Sequence, residues 1–115
     1  MAAPETWERW ILKHRICHVS TVREGTMDAF DLDGEMILVA NVDGEWFAIG
    51  DTCSHAQASL SEGELDAEEC TVTCPLHGAV FDLRTGEALE FPAEEPVVAY
   101  SVTVEDDEVH VEFPE

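Results

Sequence analysis

Two short segments each pair a thiol with an imidazole: Cys53-x-His55 and Cys74-x-x-His77, with 18 residues between them. Four such side chains hold a metal only if both segments are loops that converge, so the fold must bring 53–55 and 74–77 to one place. Thiolate and imidazole donors suit either zinc or an iron–sulfur centre. Zinc fingers usually group cysteine with cysteine and histidine with histidine. Here each pair is mixed. Mixed pairs suit a centre with two unlike irons bridged by sulfides, one iron on Cys53 and Cys74 and the other on His55 and His77. Zinc remains the competing reading at this point.

At 115 residues the chain has material for one domain with one modest core. It carries 26 acids against 5 lysines and arginines, a formal net charge of −21. Such a charge repels phosphate, which argues against nucleic-acid binding and against anionic membrane surfaces. Hydrophobic residues make up 45%, too many for a disordered chain. No apolar run reaches the roughly 18 residues that a membrane span needs. The opening MAAPETWERW has acids where a secretory signal has bases, so a cytoplasmic protein is expected. In a reducing compartment, spaced cysteines suggest metal before disulfide. Cys17 and Cys70 read as packing residues, since a free thiol behaves as a small hydrophobe. A Cys17–Cys70 disulfide is disfavoured there.

Apolar residues Trp7, Trp10 and Ile11, with His14, fall on one helical face, which predicts a short helix over residues 6–14. Beyond it the chain reads as strands and turns. Strands are expected over 16–22, Glu35–Val42 and 45–49, with Asp43-Gly44 closing a hairpin. Val98, Tyr100, Val102 and Val104 alternate with other residues, 105–108 interrupts, and Val109, Val111 and Phe113 resume. Short strands with frequent turns mean an all-β sandwich or barrel. Residues 51–96 read as a small subdomain inserted into that framework, with a strand over 70–73 in which Cys70 alternates with Val72. His110 alternates oppositely to Val109 and Val111 and is expected to face solvent. His14 and His18 lie four apart, but strand signals near Ile16 argue against a helical metal pair.

The segments DTCSHAQASLSEGELD (51–66) and TCPLHGAVFDLRTGEAL (73–89) resemble those of the Rieske iron–sulfur proteins. More narrowly, they are similar to the small ferredoxins of multicomponent aromatic ring-hydroxylating dioxygenases, and the run 58–63 resembles the carbazole dioxygenase type. The resemblance spans residues 16–113. It implies a Rieske fold of stacked antiparallel sheets, with one [2Fe–2S] cluster at the tip of the inserted subdomain. Cys53 and Cys74 would hold the inner, ferric iron. His55 and His77 would hold the outer iron, the one that is reduced. The implied role is a one-electron shuttle, a monomer passing electrons from an NAD(P)H-dependent ferredoxin reductase to a terminal Rieske non-haem iron oxygenase. No nucleophile–base pair or substrate pocket can be argued from the residues, so the chain is not expected to be an enzyme.

Departures from the respiratory branch of that family are informative. The extra cysteine positions there are Ala58 and Leu76 here, so no disulfide ties the loops. The serine and tyrosine positions are Ala79 and Phe81, which removes two hydroxyl donors to cluster or cysteine sulfur and lowers the potential. The loops 53–60 and 74–81 carry no charged residue, while Asp51, Glu62, Glu64, Asp82, Glu94 and Glu95 lie nearby. An uncharged contact tip ringed by carboxylates is therefore expected. The acid surplus also serves solubility. The segment 91–96 is read either as a proline-containing loop beside the cluster or as a plain connector. Two rival roles are a small or regulatory Rieske subunit of another redox complex, such as nitrite reductase, and a zinc-stabilised interaction module.

Overall fold

The computed structural model describes residues 11–114 except 33, 54–57, 77 and 91–94. Ten strands follow in order: β1 Ile11–His18, β2 Thr26–Leu32, β3 Glu35–Val42, β4 Glu45–Gly50, β5 Glu64–Asp66, β6 Thr71–Thr73, β7 Val80–Asp82, β8 Ala88–Glu90, β9 Ala99–Glu105 and β10 Glu108–Pro114. A single 3-10 turn spans Leu60–Glu62. Among the described residues no helix is long and apolar enough to cross a membrane.

Two antiparallel sheets result, a six-stranded one ordered β1-β10-β9-β4-β3-β2 and a four-stranded one ordered β5-β6-β7-β8. The larger sheet is joined at its middle by only two residue pairs, Ala48 with Tyr100 and Ile49 with Ala99. Its halves therefore fold over each other. Cys17, Val109 and Val111 of one half bury against Ile37, Val39 and Ala48 of the other. The opposite face of β3, with Leu38, Ala40 and Val42, packs on Val72, Phe81 and Leu83 of the small-sheet region. From Ile37 to Val42 every residue of β3 is buried. A strand covered on both faces needs a continuous apolar run, which is what ILVANV supplies. Its one polar member is satisfied: Asn41 donates from Nδ2 to the Val22 carbonyl at 3.0 Å and accepts from Gly44 N–H at 3.1 Å.

The two long hairpins close through left-handed residues. Asp43 and Gly44 have φ of 54° and 87°, and Asp106 and Asp107 have 53° and 64°. Positive φ at both central positions matches the twist of the flanking strands.

Several sequence expectations need correction. The helix over 6–14 is not borne out where it can be seen, because residues 11–14 belong to β1, which pairs along β10 from Ile11 to His18. Long-range pairing overrides a helical apolar spacing there; residues 6–10 lie outside the described residues. The strand placed at 16–22 ends at His18, and Val22 is buried from a turn instead. β2 was not read as a strand, because Asp28 and Asp31 interrupt its apolar pattern, yet it pairs with β3 over its whole length. His110 does lie on the face opposite Val109 and Val111, but it is half-buried, and its Nδ1 is enclosed without a partner among the described residues.

Other readings stand. Cys17 and Cys70 are buried in separate core clusters, and among the described residues no disulfide forms. Burial raises both thiols above their ordinary range, so they stay protonated packing groups. Cys70 packs from a turn with φ of 59°, however, not from a strand alternating with Val72. His14 and His18 sit on one strand, where four residues span about 13 Å, too far to share a metal.

Candidate metal centre

Both cysteine loops are built from the backbone outward. After β4, Asp51 N–H donates to the Met36 carbonyl at 3.0 Å, and Leu60 N–H donates to the Asp51 carbonyl at 2.7 Å. Thr52 then bridges Ser59, and Cys53 N–H donates to the Ala58 carbonyl at 3.0 Å. Residues 51–53 and 58–60 thus pair as the base of a narrow arm, with Cys53 at the last described rung. Residues 54–57, and His55 with them, lie outside the described residues.

The second arm joins β6 to β7. Cys74 N–H donates to the Ala79 carbonyl at 2.7 Å, and Gly78 N–H donates back to the Cys74 carbonyl at 3.2 Å. That reversal needs the left-handed φ of 77° at Gly78. His77 is likewise outside the described residues.

Close packing brings the arms together. Gly63 lies so near the Thr73 carbonyl that a Cβ would collide with it. The end of one arm therefore presses on the start of the other. Cys53 and Cys74 are 4% and 2% exposed and belong to one buried cluster with Leu60, Ala79 and Phe81. Two thiol donors thus reach one core from two loops that carry no charged side chain. That donor set fits a sulfur-ligated iron centre. Ala79 and Phe81 are both fully buried, so neither position brings a hydroxyl to sulfur.

The surroundings are asymmetric. A groove of about 450 Å³ runs along the Cys53 side, lined by Glu35, Met36, Asp51, Pro96, Val98 and Tyr100 among others. Burial raises the Tyr100 phenol above its usual range, and Glu35 adds to this. A smaller hollow of about 360 Å³ lies beside Cys74, between Glu62, Glu64 and Pro75. Met36, Leu76 and Val98 are exposed apolar residues of this region. Glu62, Glu64 and Glu95 are exposed carboxylates, as a charged rim requires, and Asp82 is half-buried. Glu94 lies outside the described residues.

Asp51 does not belong to that rim. It is 1% exposed, and its Oδ1 accepts from Ser61 N–H at 2.9 Å. Nothing in the local sequence marked it, because its burial comes from the arm closing over it. The segment 91–96 is described only from Glu95 onward. Its far end is anchored where Val97 N–H donates to the Gly86 carbonyl at 2.9 Å.

Comparison with known proteins converges on one family. The Rieske [2Fe-2S] domain model matches residues 13–101. The 3-phenylpropionate/cinnamic acid dioxygenase ferredoxin subunit of Shigella boydii serotype 4 (strain Sb227) is 46% identical over 100 residues, covering 86% of this chain and 92% of that protein. The solved ferredoxin of carbazole 1,9a-dioxygenase from Nocardioides aromaticivorans IC177 superposes with a TM-score of 0.84 at 37% identity, over 90% of this chain and 98% of that one. A chain in the solved complex of reduced oxygenase and oxidized ferredoxin in carbazole 1,9a-dioxygenase aligns with a TM-score of 0.79 at 34% identity, covering 86% and 91%.

Proposed function

The chain belongs to the Rieske [2Fe–2S] domain family, and on that premise we propose that Cys53 and Cys74 hold the inner iron of its cluster while His55 and His77 hold the outer one. The protein is an electron carrier, the ferredoxin component of an aromatic dioxygenase system, and not itself the catalyst. A terminal oxygenase is its partner in that system. On our reading a ferredoxin reductase is the other, the carrier works as a cytoplasmic monomer, and residues 51–96 are the cluster-binding subdomain. Membership of this family replaces the zinc alternative with iron–sulfur chemistry.

The observation that carries the assignment is the meeting of two buried cysteines in one core cluster, from the loops 53–60 and 74–81, which have no charged side chain. The bound cluster supplies a one-electron couple. The chain's own residues do the rest. The arms bury Cys53 and Cys74. Uncharged tips approach a partner without the cost of stripping water from ions. The carboxylates around them draw a basic surface from a distance, which raises the association rate more than the contact energy. Electron-transfer complexes are small and transient, so rate is what matters.

Replacing His55 or His77 by alanine tests the ligand set. Each variant is expected to lose the native Rieske EPR signal; full cluster occupancy with an unchanged signal in both would show the ligands to be wrong. Turnover with an aromatic ring-hydroxylating oxygenase and its reductase, and none with a nitrite reductase, tests the role.

A further inference from the structure

Asp51 is the only carboxyl-bearing residue among the described residues that is buried, at 1% exposure. It lies at the root of the first arm, two residues before Cys53, so the two Cα atoms are at most about 7 Å apart. Its backbone is tied at both ends, to Met36 and to Leu60, and its Oδ1 accepts from Ser61 N–H. Among the described residues no ion pair involves it, and no lysine or arginine occurs between Arg23 and Arg84. Burying a charge without a counter-ion is costly. Closing the arm needs only an acceptor, which a neutral amide oxygen would also provide. The carboxylate therefore brings something that the clamp does not require.

We propose that the buried Asp51 carboxylate is a positioning residue that also sets the redox potential, by placing fixed negative charge beside the first ligand arm. Reduction adds an electron to the centre that Cys53 helps hold. A buried negative charge nearby opposes that electron, and low local polarisability makes the opposition stronger than at the surface. The exposed acids of the rim act through solvent and are screened by salt. Asp51 thus lowers the potential from inside, in addition to the missing hydroxyls at positions 79 and 81. This inference rests on the cluster assignment above.

The test compares midpoint potentials of the intact holoprotein by spectroelectrochemical titration. Asp51→Asn keeps the acceptor for Ser61 and removes the charge. It is expected to raise the equilibrium constant for reduction about tenfold, ~59 mV for one electron, with the Rieske visible and EPR spectra unchanged. The shift is expected to exceed that of Glu62→Gln, and to persist at about 1 M salt, where the Glu62→Gln shift disappears. An unchanged midpoint with a normal spectrum would overturn the proposal, as would a shift that high salt abolishes. If Asp51→Asn does not retain the cluster, Asp51→Ser, neutral and still an acceptor, is measured in its place. Failure of both to retain it would show a purely structural role and overturn the proposal. Absence of the Rieske spectrum from the unsubstituted chain would overturn the cluster assignment and this inference with it.

Discussion

In the half-sheet of β1, β10 and β9, strands of seven or eight residues pair along their lengths, whereas each strand of the β5–β8 sheet has three residues and three or fewer partners on a neighbour. The first region also gathers cations. Lys13 meets Glu105 at 2.9 Å and Arg15 meets Glu108 at 2.7 Å across its outer face. The loops 53–60 and 74–81 of the second region carry no charged side chain. One end is thus held by its own ladder and surface pairs. The other is held by what it buries, chiefly Phe81, Val72 and the cysteines beneath the arms. Three-residue strands contribute too few rungs to stand alone, so the redox end depends on its core and its metal.

That contrast can be broken most directly by removing iron with a chelator. Hydrogen exchange is expected to speed up strongly in β5–β8 and in the arms, while β1, β10 and β9 stay protected, because metal binding and local folding are coupled. Equal loss of protection at both ends would show that they form a single cooperative unit. Phe81→Ala comes next. It removes a fully buried ring from the core shared by the arms, and a cost of about 3–5 kcal/mol is expected in denaturant unfolding of the holoprotein.

A smaller effect separates potential from stability. The midpoint of the unsubstituted protein is expected near the low end of the Rieske range, about −150 mV. Ala79→Ser and Phe81→Tyr should each raise it if the new hydroxyl reaches sulfur, and a midpoint well above zero in the starting protein would contradict the argument. Charge reversal at the two ends then sharpens the comparison kinetically. Glu62→Lys should slow association with the oxygenase and flatten its salt dependence, while Glu108→Lys on the far face should leave both nearly unchanged. Stopped-flow rates at several ionic strengths decide this, and equal effects would remove the directional role of the rim. The smallest expected effect is at Glu105, whose carboxyl the hydrogen bond and charge of Lys13 hold below the usual range. A lowered folded value means stability present above the ordinary carboxylate range and lost as pH falls through the folded one. Glu105→Gln should make the acid limb of the unfolding curve slightly shallower.

The framework hairpins were legible because their signals are local. Asp43-Gly44 demands positive φ, β3 is a continuous apolar run, and Val109, Val111 and Phe113 alternate. The candidate ligand spacing stood out because two cysteines and two histidines in mixed pairs point to a narrow range of chemistry. What failed depended on distant partners. Residues 11–14 of β1 looked helical until β10 claimed them, and β2 is a strand only because β3 lies beside it. β5, β7 and β8 are too short for any period to emerge. Asp51 reads as a surface acid in sequence and becomes an interior one only when residues 59–61 fold back over it.

The bond between Val97 and Gly86 bears on how such carriers diversify. Gly86 has φ of 80°, and a Cβ there would strike the Val97 carbonyl, so this junction is closed to most substitutions. With β8 ending at Glu90 and Val97 tethered to Gly86, both ends of the intervening stretch are held. Lengthening a segment whose ends are already fixed costs little, since closure entropy grows only with the logarithm of its length. Mutational drift can therefore accumulate between residues 91 and 96 while the strands on either side keep their places.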